Sequence, residues 1–327
     1  MKKLTLAAGL ALAGSLSANE LTVYTYSSFT SDWGPGPEIK SAFEAQCDCT
    51  LNFVSSDDGV SLLNRVRLEG MNTQADVVLG IDDALIEEAR DLSLFQTHGV
   101  NWDDYPLADD LAWSDDLYVP FDYGYFAFVY DTEVIDSPVT SMAELLESDA
   151  DIIYQDPRTS TVGQGLMHWM QAIYGDDGVA DAWAALAERT ITVTQGWSES
   201  YGMFQEGEAD YVLSYTTSPA YHMVAEDTDR YQAAAFSEGH VAQIEVAAIS
   251  AYTDQEELAA EFLNFLLTHE AQEILPVTNW MLPVRTDVDL PDAFGLLVTP
   301  ERIGYSPSEI RDNRQAWIRN WRNAVSQ

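Results

Sequence analysis

Positive charge is what this sequence most lacks. Its 327 residues hold 15 Lys and Arg against 54 Asp and Glu, a formal net charge of -39. Only positions 2, 3 and 40 are lysine. Such a surface repels nucleic acid and anionic membranes, both of which need basic footprints. Solvation in a salty habitat accounts for it simply. Steering of a cationic ligand is the sharper reading, and salt screens such fields beyond several Å. Cysteine is nearly absent: Cys47 and Cys49 stand in Cys-Asp-Cys. An exported chain permits a disulfide, although bridging across one residue closes a small ring. The histidines at 98, 168, 222, 240 and 269 are scattered without paired-ligand spacing, so no metal site is expected. There is no P-loop, G-x-S-x-G or HExxH motif, no internal repeat and no low-complexity tract. No run after the N-terminus approaches the length of a membrane span.

At the N-terminus, Lys2 and Lys3 precede an apolar, small-residue run from Leu4 to Leu16, closed by Ser15-Leu16-Ser17. A charged start, a short apolar stretch and small residues at its end predict a signal peptide over 1–17 and export to the periplasm. A buried N-terminal helix is the alternative. No cysteine stands at the cleavage site to carry a lipid. Removal takes two positive charges and no acidic residue, so -39 becomes -41. The remaining length suggests about two domains.

Strands and helices alternate along the chain. Strands are predicted at 21–26, 50–55, 75–80, 152–154, 211–214 and 241–250. Helices are predicted at 38–46, 60–69, 82–91, 165–174, 256–267 and 308–325. An aromatic-rich stretch at 117–130 interrupts the rhythm. In the last helix Ile310, Trp317, Trp321 and Val325 share one face. Arg311, Arg314, Arg319 and Arg322 lie towards its C-terminal half, where the helix dipole favours cations. The expected fold is α/β, two lobes each a sheet flanked by helices. The first would hold 18–121 and 240–286, the second 122–239 and 287–327, with a ligand in the cleft between them.

Three sets of residues at apparent strand ends carry candidate chemistry, since ligands of open α/β sheets collect there. Ser56-Asp57-Asp58-Gly59 precedes a helix: Asp58 is either a plain N-cap or a carboxylate facing a ligand donor or cation. Asp156-Pro157-Arg158-Thr159-Ser160-Thr161 offers hydroxyls and free amides, an anion site that Arg158 would assist, or a plain capped turn. The third set is aromatic: Tyr26, Trp33, Trp197, Tyr215, Tyr221 and Trp280. Each is either ordinary core or a face for a flat or cationic ligand.

Longer strings go further. Thr-Val-Tyr-Thr-Tyr at 22–26, Asp-Trp-Gly-Pro-Gly-Pro at 32–37, Asp-Gly-Val-Ser-Leu-Leu-Asn-Arg at 58–65 and Val-Pro-Phe-Asp-Tyr-Gly-Tyr-Phe at 119–126 are distinctive. So are Tyr-Gln-Asp-Pro-Arg-Thr-Ser-Thr at 154–161, Gly-Trp-Ser-Glu at 196–199, Leu-Ser-Tyr-Thr-Thr-Ser-Pro-Ala-Tyr at 213–221 and Asn-Trp-Met at 279–281. Together they resemble the periplasmic thiamine-binding proteins of bacterial thiamine ABC importers over essentially the whole mature chain.

The resemblance implies the two-lobed periplasmic-binding-protein fold of type II and capture of thiamine, its monophosphate or its diphosphate. It implies a monomer with no catalytic residue and no cofactor, partnered by the permease and ATPase subunits of the importer. Asp58, Gly59, Ser160, Thr161, Trp197 and the run Tyr215, Thr216, Thr217 and Ser218 would contact the ligand. Tyr26, Trp33, Tyr221 and Trp280 would complete the aromatic walls. In that arrangement Asp58 supplies the negative charge and the Ser160-Thr161 turn holds the ligand's tail. A thiaminase-like transferase resembles this fold too, but needs an activated cysteine nucleophile. A ferric-ion or polyamine binder would need clustered tyrosines with His or carboxylate, or several carboxylates.

Overall fold

The computed structural model describes residues 19–108, 111 and 113–326. The expected signal peptide at 1–17 lies outside them. The architecture is α/β, as the alternating pattern predicts. Eight strands form the path of one continuous sheet. In order across it they are Thr50–Ser56, Glu20–Tyr26, Val77–Asp82, His240–Ser250, Val119–Asp131, Tyr211–Tyr215, Ile152–Gln155 and Thr190–Thr194. Glu20–Tyr26 pairs in parallel with both of its neighbours, which requires helical crossovers between them.

Two long strands make the sheet serve two lobes. Val119–Asp131 pairs antiparallel with His240–Ser250 through Tyr125, then with Tyr211–Tyr215 from Phe126 onward. Its side chains divide accordingly. Phe121 belongs to one apolar core with Leu21, Val77, Ile249 and Phe262, whereas Phe126 and Phe128 belong to another with Trp169, Trp183, Leu213 and Trp321. Val241 and Ile244 are split between the same two cores.

Helices cover both faces. Glu256–Leu266 buries Ala259, Phe262, Leu263, Phe265 and Leu266 on one side and shows acids on the other, each large apolar side chain worth about 2 kcal/mol on burial. Pro307–Val325 starts with a Ser306/Glu309 capping box and buries Ile310, Trp317, Trp321 and Ala324. Arg314 sits on that buried face. Its Nε donates to Gln164 Oε1 at 3.0 Å, and its Nη1 donates to Glu88 Oε2. Arg314 is therefore a buried ion-pair partner, and the helix dipole is not what places it.

Other expectations are corrected. The helix predicted from 82 begins only at Ile86: Asp82 still pairs across to Glu245, and a turn bonds Leu85 N to Asp82 O. The helix predicted at 165–174 begins at Thr161, because Ser160 caps it, and runs to Arg189 through a kink at Gly175, where φ is +61°. Short helices at Met142–Glu147, Trp197–Gln205, Ser218–Ala225 and His269–Thr278 carry too few periodic apolar residues, or an internal proline, to signal themselves. Cys47, the last residue of helix Gly36–Cys47, is disulfide-bonded to Cys49, just before strand Thr50–Ser56, with Cα atoms 5.1 Å apart.

Candidate functional site

A cavity of about 570 Å³ opens between the lobes. The first lobe brings Tyr26, Ser27, Ser28, Ser31, Trp33 and Asp58 to it. Trp197, Tyr201, Tyr215, Ser218 and Tyr221 come from the second, and Glu245, Asn279 and Trp280 close it. All six candidate aromatics thus line one space. Trp33 and Trp197 face each other across the cleft with ring centroids 6.2 Å apart, and Tyr221 meets Trp280 edge-on at 5.5 Å. Trp280 holds a left-handed backbone (φ 58°), a conformation that costs a bulky residue energy and clusters at binding sites.

Each ring is fixed by its own partners. Tyr26 packs against Gly80, where a Cβ would come within 2.2 Å of the ring. Trp197 Nε1 donates to Ser214 Oγ at 2.7 Å while its ring stacks on Tyr201 at 4.9 Å. Tyr201 in turn bonds His222. Tyr215 stacks on Phe126 and donates to Gln243 Oε1 at 2.6 Å. Such anchoring keeps the faces presented in fixed orientation.

Asp58 and the Ser160-Thr161 turn meet, but on each other. One carboxylate oxygen accepts from Gly59 N (2.7 Å), Thr161 N (2.9 Å) and Thr161 Oγ1 (3.1 Å), and the other from Ser160 Oγ (2.8 Å). Burial raises the Asp58 pKa, and these four donors oppose the rise. Asp58 is thus an N-cap on its own helix and also fills the anion-binding helix start of the opposite lobe. Ser61 N bonds Thr159 O beside it at 3.0 Å, so the two lobes are latched. Arg158 turns outward, ion-paired with Asp156 and lying over Trp321.

Four expected contacts stand behind the wall instead of in it. Gly59 is pressed against the Gly80 carbonyl, 2.5 Å from where a Cβ would be. Ser160 caps its helix. Thr216 and Thr217 are buried, Thr216 N bonding Tyr125 O and Thr217 Oγ1 reaching the Met281 sulfur. Their role is to shape the loop that presents Tyr215 and Ser218.

The acidic element that sequence reasoning missed is Glu245. It stands on His240–Ser250 directly opposite Asp122 on Val119–Asp131. Tyr26 Oη donates to Glu245 Oε2 at 2.8 Å, and Asn279 Nδ2 donates to Asp122 Oδ2 at 2.6 Å. Burial pushes Asp122 up to about 7. It also drives Glu245 well above the usual range, helped by the adjacent Asp122 charge. The signal available in the sequence was a lone acid inside each of two otherwise apolar strands. Asp58 is therefore not the only carboxyl at the cleft. Among the described residues no His/Cys/Asp/Glu group fits a metal ion, and no helix is long and apolar enough to cross a membrane.

Known proteins match this architecture closely. The model of the bacterial extracellular solute-binding protein family matches residues 31–273. The thiamine-binding periplasmic protein of Escherichia coli (strain K12) is 54% identical over 309 residues, covering 94% of this chain and 93% of that one. Its namesake from Brucella abortus is 49% identical, over 97% of this chain and 95% of the relative. A solved periplasmic thiamin binding protein superposes with a TM-score of 0.92 at 52% identity, covering 98% of this chain and all of the other. A ferric binding protein from Campylobacter jejuni, at 18% identity and TM-score 0.77, shares the fold alone. The chain belongs to the bacterial extracellular solute-binding protein family, within its group of thiamine-binding periplasmic proteins.

Proposed function

We propose that this periplasmic binding protein captures thiamine and delivers it to the permease and ATPase of an ABC importer. The observation that carries the reading is one cavity with rigid aromatic walls and an acidic floor. Thiamine joins a flat aminopyrimidine to a thiazolium cation. Aromatic faces suit both rings, and a desolvated cation over such a face gains about 2 kcal/mol. Glu245, which lines the same cavity, supplies the opposing charge once it ionises.

The monophosphate and diphosphate belong to the same reading, with a changed role for the Ser160-Thr161 turn. Asp58 already occupies that helix start, and a phosphate would have to displace a carboxylate hydrogen-bonded four times. The ester tails are instead directed to the hydroxyl-rich edge formed by Ser27, Ser28, Ser31 and Ser198. The protein acts as a monomer in this scheme, since both walls of the cavity come from one chain.

Isothermal titration of the mature protein with thiamine, its two phosphate esters, spermidine and ferric citrate tests the assignment. Saturable binding of thiamine and its esters, with no heat from the other two, is expected. Tight binding of spermidine or ferric citrate without thiamine binding would reject it.

A further inference from the structure

Asp122 and Glu245 pose an electrostatic problem that the protein leaves unsolved. They lie directly opposite on adjacent strands, Asp122 fully buried and Glu245 nearly so. One Asp122 oxygen, Oδ1, has no hydrogen-bond partner. The titratable groups around the pair are acidic or phenolic: Tyr26 from strand Glu20–Tyr26, Asp58 from the helix cap, Asp82 opposite Glu245 on strand Val77–Asp82, and Tyr215 from strand Tyr211–Tyr215. Among the described residues neither carboxyl has an ion-pair partner, and burial is the largest influence on both. Two adjacent buried carboxylates without a cation cost several kcal/mol each, so the pair cannot hold both charges while the cavity is empty. Glu245 nevertheless lines the cavity and faces its contents.

We propose that Asp122 and Glu245 share one proton in the empty cavity and release it to solvent when a cationic heterocycle seats against Glu245, so that the pair selects the ligand by its charge. This rests on the reading that the cavity takes thiamine. The ring cation supplies the positive charge that the protein withholds and favours the second ionisation. An uncharged ring of the same shape offers no such exchange and leaves the proton in place. The aromatic walls bind either ring, whereas the floor distinguishes them. Tyr26 and Asn279, both bonded to the pair, hold the carboxyls in line with the cavity.

The linkage has a definite sign. Cation binding lowers the pair's proton affinity, so thiamine affinity rises with pH while the empty pair still holds its shared proton, and levels off once the pair has lost it.

The test compares thiamine with an uncharged isostere, thiophene replacing thiazolium, by calorimetric titration from about pH 5 to about pH 8. Two buffers of different ionisation heat count the protons. Wild-type protein is expected to gain roughly tenfold in thiamine affinity across the range, to release a proton at the acid end and to show no slope with the isostere. Glu245→Gln and Asp122→Asn should each flatten the slope and shrink the preference for thiamine over the isostere. Both are near-isosteric and remove a buried charge, and melting temperatures report that they fold. A slope or a preference that survives in both variants would overturn the proposal while leaving thiamine binding intact. Failure of the wild type to bind thiamine at all would overturn the functional reading and this proposal together.

Discussion

At the level of single residues, the site separates groups that touch the ligand from groups that hold the site closed. Trp197 and Trp280 belong to the first kind. Replacing either with alanine is expected to weaken thiamine binding by about 1–3 kcal/mol, with a loss of the ligand-induced change in tryptophan fluorescence. Unchanged affinity in both single variants would remove the aromatic walls from the account. Asp58 belongs to the second kind. Three of its four hydrogen bonds join the lobes, so Asp58→Ala and the double change Ser160→Ala, Thr161→Ala should each weaken thiamine and thiamine monophosphate by the same factor. Titrating both ligands into each variant decides it, because a selective loss of the phosphorylated ligand would return the turn to phosphate binding. The sequence left the Asp58 cap and the Asp58 ligand contact open as alternatives. A cap is a local pattern, but the helix that this carboxylate also caps begins more than a hundred residues away.

Among the elements, the long strand Val119–Asp131 and the last helix tie the two lobes together. Its aromatic composition marked the strand as unusual. Its change of partner at Tyr125 and Phe126 depends on which strands arrive beside it, which no local pattern records. The last helix is legible as amphipathic, yet the arginine on its apolar face is not distinguishable from its neighbours by spacing. Arg314 is 6% exposed and bonds Glu88 in the other lobe, whereas Arg319 faces solvent. Arg314→Ala should cost about 2–4 kcal/mol, since it strands Gln164 and Glu88 without their donor. Arg319→Ala should change stability by less than about 0.5 kcal/mol. Urea unfolding of both variants measures the contrast, and equal effects would mean that the Arg314 pair carries no net stability.

For the whole molecule, acidity governs behaviour in two distinct ways. A formal net charge of -39 repels itself, so added salt should raise the melting temperature by several degrees through screening. A flat salt series would show that the acids are already locally compensated. The buried acids act through pH. Free carboxyls titrate at about 4, whereas burial raises Asp83 to about 6 and Asp122 to about 7. Between those limits the folded chain holds protons that the unfolded chain has lost. The stability they contribute is present below about pH 4 and disappears as pH rises towards about 7. Asp131, held low by Arg230, works in the opposite direction at lower pH. Thermal melts of the ligand-free protein should therefore reach their maximum in mild acid, and Asp122→Asn should reduce the decline towards neutrality. A melting temperature that rises from pH 5 to about 7 would contradict this assignment. By itself the sequence determined the alternating α/β order, for which local periodicity suffices, and its long unusual strings singled out six of the seven aromatics that line the cavity, all but Tyr201. Only the tertiary structure decided that Asp58 spends its charge on the opposite lobe, that Thr216 and Thr217 stand behind the wall and that Asp122 and Glu245 meet. Those facts depend on burial and on pairing between strands over a hundred residues apart, where desolvation, and not residue type, sets what a carboxyl can do.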